Sequence, residues 1–141
     1  MSTGERYRTI SHTADIGIEA FGTTIPELFE NAAWGFVDLL TDAEAILPKE
    51  RRTIRLNAEN KEDLLVRWLS ELLFLFETER KLFARTTVTR LTETDLEAVV
   101  EGESFDSTRY EIRHEIKAVT YHALSIGPTA DGWRAQVIFD L

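Results

Sequence analysis

Cysteine is absent from the 141 residues, which excludes a disulfide framework and any thiolate metal site. The same absence suits a reducing cytosol, and a cytoplasmic location is expected. No apolar run reaches the roughly 18 residues that a membrane span needs, so no membrane association is expected. The polar start, Met1 to Arg6, has no apolar core behind it and does not read as a signal peptide. Basic charge is scarce, with 16 Lys and Arg against 25 Asp and Glu, a net charge of −9 and a pI near 4.8. Nucleic-acid phosphates are held mainly by Lys and Arg that displace counterions. Most of this surface should therefore repel nucleic acid, and strong direct binding is not expected. A role near nucleic acid would run through a protein partner, for example one with a basic groove; the alternative is that the charge only keeps a small domain soluble. Also missing are a Gly-rich phosphate loop, a G-x-S-x-G turn and an H-E-x-x-H helix. There are no repeats and no low-complexity segments.

What is present suits one compact domain over residues 1–141, since 43% of the chain is hydrophobic. Residues 16–22 alternate, with Ile16, Ile18 and Ala20 on one side and Gly17, Glu19 and Phe21 on the other, the period of a half-buried strand. Thr24 then caps a helix with Glu27 placed for a capping box and Pro26 in its first turn. Leu28, Phe29, Ala32, Ala33, Phe36, Val37 and Leu40 form its single apolar stripe. Trp34 falls off that stripe and is expected to cover a neighbouring loop, the alternative being a contact residue. Residues 51–58 alternate as a second strand. Asn60 caps a second helix striped by Leu64, Leu65, Trp68, Leu69, Leu72, Leu73 and Phe76, with Phe74 and Leu75 extending its apolar face almost around the circumference. Residues 82–91 and 95–102 read as a hairpin, 116–126 as one long strand, and 133–141 as a terminal strand after the turn-rich loop 127–132. The pattern predicts an α+β domain, two amphipathic helices packed on one face of a mostly antiparallel sheet of about six strands.

The chemistry gathers at two places. Ser11, His12, Thr13 and Asp15 occupy a turn just before the first of these strands. The last strand ends on Asp140 and then on Leu141, whose α-carboxylate is one residue further on. If the first and last strands pair, Asp15, Asp140 and the Leu141 carboxylate meet, an all-oxygen set suited to Ca2+, Mg2+ or Mn2+ rather than zinc. Crowded carboxylates repel, and a cation relieves that cost. The plainer alternatives are that Asp15 bonds its own turn and that the C-terminus is frayed. His12 is a ligand, a partner contact or a structural residue of the turn.

Three stretches, SHTADIGIEAFG near the start, EIKAVTYHALSI in the last third and VIFDL at the end, together resemble the archease family. The resemblance implies a small accessory protein that activates an RtcB-type RNA ligase in tRNA splicing or RNA repair, promoting its guanylylation and multiple turnover. It implies a metal site on the first and last motifs, at Asp15, Asp140 and Leu141, with Ca2+ the expected ion and Mn2+ or Mg2+ as alternatives. It also implies that Lys117 and His122 belong to the functional face, where His12 would join them if it is a partner contact; no catalytic residue is assigned, because the usual active-site signals are missing. The competing readings are a small metal-dependent hydrolase or nuclease, and a chaperone or modulator of an RNA-methylating enzyme.

Overall fold

The computed structural model describes residues 5–11 and 15–141. In chain order its elements are β1 (Tyr7–Ser11), β2 (Asp15–Gly22), α1 (Ile25–Leu40), a 3-10 turn (Ala43–Ala45), β3 (Glu50–Asn57), α2 (Lys61–Glu79), β4 (Lys81–Leu91), β5 (Asp95–Ser104), β6 (Ala118–Val119), β7 (Ser125–Pro128) and β8 (Trp133–Asp140). Every strand pairing is antiparallel. The α+β class and the two helices agree with the sequence pattern. The strands number eight among the described residues, and they divide between two sheets: β1-β2-β8-β6, with β7 also on β8, and β3-β5-β4.

Both helices begin where their caps place them. The Thr24 hydroxyl accepts the Glu27 N–H at 3.2 Å. The Glu27 carboxylate reaches back to the N–H of Thr23 at 2.7 Å, one residue earlier than in a standard capping box. Asn60 accepts the Asp63 N–H at 2.8 Å. The α2 helix stops at Arg80, whose left-handed φ of 55° turns its N–H onto the Phe76 carbonyl. The α1 stripe is fully buried because α1 packs on β2 of the large sheet and β4 of the small one. One helix thus joins both sheets into a single core. Trp68 of α2 lies at the centre of that core and donates its indole N–H to the Phe29 carbonyl at 2.9 Å, so its only polar group is satisfied. Leu75 is buried as expected, whereas Phe74 is 54% exposed; the apolar face of α2 is narrower than the residue types suggest. Trp34 is half-buried, with the Arg6 guanidinium 4.1 Å over its ring, and so covers the segment leading into β1.

The expectation of one strand over 116–126 is corrected. The segment forms β6 and β7 on the same side of β8, separated by an excursion. Thr120 gives both its N–H and its hydroxyl to the Ile138 carbonyl, and the chain then leaves the ladder. Ala123 takes a left-handed φ of 53°, and Tyr121 swings out to donate its hydroxyl to Asp63 in the first turn of α2. Alternation in the sequence carried no sign of this, because the partner that draws Tyr121 away is on another element. The strand β1 also escaped the sequence reading, since it is a mostly exposed edge with little apolar contrast between its faces.

The small sheet is tight where β4 and β5 cross. A Cβ built on Gly102 would lie 1.8 Å from the Leu82 carbonyl oxygen, beside the irregularity in β4 between Phe83 and Arg85. Backbone cannot yield as a flexible side chain does, so Gly102→Ala is expected to cost about 1–3 kcal/mol of stability by overpacking. A denaturation midpoint equal to that of the parent would show that the strands separate there without cost.

Candidate metal centre at the paired strand ends

The β2–β8 ladder runs from Gly22 opposite Trp133 to Asp15 opposite Asp140. Directly opposed residues of an antiparallel pair share a face, with Cβ atoms about 4.5–5.5 Å apart. The two aspartates therefore stand side by side on the face away from Ile16, Ile18, Val137 and Phe139, which are buried in the core. The next rung on that face is Gly17 opposite Ile138. Ile138 is only 2% exposed, and a Cβ on Gly17 would come within 2.6 Å of its Cδ1 atom. Gly17 thus leaves the space that Ile138 fills, and an apolar floor lies next to the two carboxylates. The rung beyond is Glu19 opposite Gln136, and Glu19 accepts Arg134 at 2.7 Å.

Of the carboxylates along β2 the two differ in kind. Glu19 has its counter-ion. Asp15 is half-buried, and its Oδ1 atom is enclosed without a hydrogen-bond partner among the described residues. An unpaired oxygen of this type costs free energy, and a hard cation is the group that best relieves it. Asp140 is exposed, and Leu141 is 41% exposed at the chain end directly after it. The donors fit an oxygen-ligating divalent ion. Among the described residues no three His, Cys, Asp or Glu side chains gather at one point, so any further oxygen ligand from these residues would be of another kind, such as a backbone carbonyl.

His12 lies outside the described residues. Lys117 does reach this end of the sheet: it is exposed, its N–H donates to the Asp140 carbonyl at 2.8 Å, and the following residue, Ala118, pairs with Asp140. His122 is placed differently. It is exposed in the excursion after β6, where its N–H bonds the Thr120 hydroxyl at 3.2 Å. In a single strand over 116–126, Lys117 and His122 would alternate onto opposite faces; instead the backbone of Lys117 bonds Asp140 and His122 lies off the ladder.

A second carboxylate cluster went unnoticed in the sequence. Glu103, only 4% exposed, accepts the Leu47 N–H at 3.0 Å, the Arg109 guanidinium and the Tyr110 hydroxyl at 3.2 Å. Its four-way set is complete with Lys49 at 3.7 Å. No periodicity marks it, because its partners come from two loops on either side of β5.

Comparison with known proteins agrees with this architecture over nearly its full length. The model of the archease protein family matches residues 7–141. The archease of Methanosarcina mazei is 39% identical over 144 residues, covering 99% of both chains, and that of Methanosarcina barkeri is 42% identical with the same coverage. The solution structure of Methanobacterium thermoautotrophicum protein 1598 superposes with a TM-score of 0.82 at 30% identity, covering 97% of this chain and 99% of that one. A Thermotoga maritima archease, described as a possible chaperone, gives 0.67 at 25% identity over 94% of each chain. With two helices on antiparallel sheets, a shared length and this identity, the chain belongs to the archease family.

Proposed function

We propose that this protein is a non-catalytic, metal-binding accessory factor that activates an RtcB-type RNA ligase, promoting guanylylation and repeated turnover in tRNA splicing or RNA repair. The observation that carries the reading is the Asp15–Asp140 rung, with one enclosed oxygen that has no partner among the described residues. Asp15, Asp140 and the Leu141 carboxylate would hold the ion, Ca2+ first and Mn2+ or Mg2+ as alternatives. The ion supplies a compact positive charge that offsets the clustered carboxylates. The chain's own groups do the rest. The β2–β8 ladder holds the carboxylates in a fixed relation, and the Ile138 floor excludes water from beneath them. Lys117, exposed and tied to Asp140 through its backbone N–H, is assigned to partner contact. His12 and His122 are assigned to partner contact; of the two, His122 is exposed in the excursion after β6.

Ligase turnover with GTP and Mn2+ tests the reading, with this protein present at substoichiometric amounts. Turnover and guanylylation rate should rise, while the protein alone shows no ligase, nuclease or phosphatase activity. Metal-dependent hydrolysis of RNA or nucleotide by the isolated chain, lost in Asp15→Ala, would instead make it a small hydrolase. No effect on the ligase, together with suppressed aggregation of an RNA-methylating enzyme, would favour the chaperone role.

A further inference from the structure

The face of the small sheet turned away from the helices carries an ordered charge pattern. Registers in β3-β5-β4 place Arg51, Glu101 and Arg85 in one row, Thr53, Val99 and Thr87 in the next, and Arg55, Glu97 and Arg90 in a third. All six flanking residues, on β3 and β4, are exposed. The opposite face holds Ile54, Ala98 and Val100, which are buried, so the nine share the solvent side. Four arginines and two glutamates give these nine residues a charge of plus two, and Asp95, opposite Asn57 in the next row of the same face, brings one further carboxylate to the edge. The remainder of the chain has twelve basic against twenty-three acidic residues. Arg55 is paired with Glu97 at 2.7 Å, but Arg51, Arg85 and Arg90 form no ion pair among the described residues. A depression of about 310 Å3 opens between Arg55, Arg90 and Asp95 at the hairpin end.

We propose that this tile is a docking surface for the phosphodiester backbone of RNA. The occupant follows from what the tile offers. Guanidinium forks bond phosphate oxygens in pairs, and the Thr53 and Thr87 hydroxyls add donors of the kind that bond phosphates. A protein partner needs a buried aromatic or aliphatic anchor at the centre of its interface. Val99 is the one apolar residue here, and it is half-buried already. A phosphate backbone needs no anchor. With no aromatic side chain for base stacking, the contact is indifferent to sequence. The acidic remainder of the chain keeps it weak, so the tile guides RNA that another protein already holds. The assignment goes beyond the ligase reading and does not depend on it.

Fluorescence anisotropy of a labelled oligouridylate tests it, using the full chain in low salt. Binding is expected to be weak and salt-sensitive, with a slope of log K against log salt of about −2 for three phosphates. The triple variant Arg51→Gln, Arg85→Gln, Arg90→Gln should weaken it by about tenfold or more, whereas Arg67→Gln, exposed on α2, leaves it nearly unchanged. Should the triple variant fail to fold by circular dichroism, the double variant Glu97→Gln, Glu101→Gln decides, since it raises the tile's charge by two and should tighten binding. Equal affinity of the folded triple variant, or no tightening in the double variant, overturns the proposal. Competition by polyglutamate as strong as by unlabelled RNA overturns it too, and assigns the tile to an acidic protein.

Discussion

Glu103→Ala is expected to cost the fold about 3 kcal/mol, because removing one member of a buried charge cluster leaves the others uncompensated. The Leu47 N–H and the Tyr110 hydroxyl would lose this acceptor, while Arg109 would lose one carboxylate but keep Asp106 and the Ala45 carbonyl. Arg109 is about one-third exposed and can turn to water, which keeps the figure at the low end of the range for buried pairs. The cluster fixes the loop before β3 and the loop after β5 to the same strand, so both should loosen together. Burial by itself raises the Glu103 pKa, but the Leu47 N–H, Arg109 and Tyr110 outweigh it and the net shift is downward. A depressed carboxylate stabilises the fold fully above its ordinary value of 4.5 and loses that contribution as pH falls through the folded value. Asp106, lowered to about 2 by the Thr108 hydroxyl and N–H and by Arg109, acts in the same direction in the window between its ordinary 3.8 and about 2. Urea denaturation at neutral pH and at progressively lower pH measures both. The gap between parent and Glu103→Ala should hold down to pH 4.5 and close below it. A gap independent of pH would mean that lost packing, and not the charge, explains the variant.

Asp140→Asn should invert the thermal stability order between ion-free and ion-loaded protein. Without a divalent ion, the variant removes one of two like charges on a single rung, so its melting temperature should equal or exceed that of the parent. With Ca2+ present, the parent gains the binding free energy and the variant gains less. Losing one anionic ligand costs about 2–4 kcal/mol at the intermediate effective dielectric of a half-buried site, or roughly thirtyfold to thousandfold in affinity by calorimetry. A C-terminal Gly-Ser-Gly extension tests the terminal carboxylate in the same way. It keeps every side chain but turns the Leu141 carboxylate into a neutral amide. Ion affinity and ligase activation should both fall more than with an equal N-terminal extension, which controls for bulk. If Asp140→Asn and the extended form bind Ca2+ like the parent, Asp15 and Asp140 are strand-end residues and the metal reading is wrong.

The local chemistry of this chain was legible in one dimension. The stripes of α1 and α2, the Thr24 and Asn60 caps and the β4–β5 hairpin all depend on neighbours within a few residues. The pairing of β2 with β8 was expected only because Asp15 and Asp140 needed to meet, and the register does place them opposite one another. Interactions at long separation decided the rest. Whether strands form one sheet or two depends on which free edges meet once α1 has packed, and here α1 bridges β2 and β4 instead of covering a single sheet. The break in 116–126 is set by Tyr121 finding Asp63 and Thr120 finding Ile138, and Glu103 is held by loops on both sides of its strand. The enclosed Asp15 oxygen and the arginine tile are likewise products of register. Periodicity in a sequence records which side of an element meets the apolar interior, because burial acts on each residue separately. It does not record which distant strand lies alongside, because that choice is made by many weak pair contacts that exist only after the chain has folded.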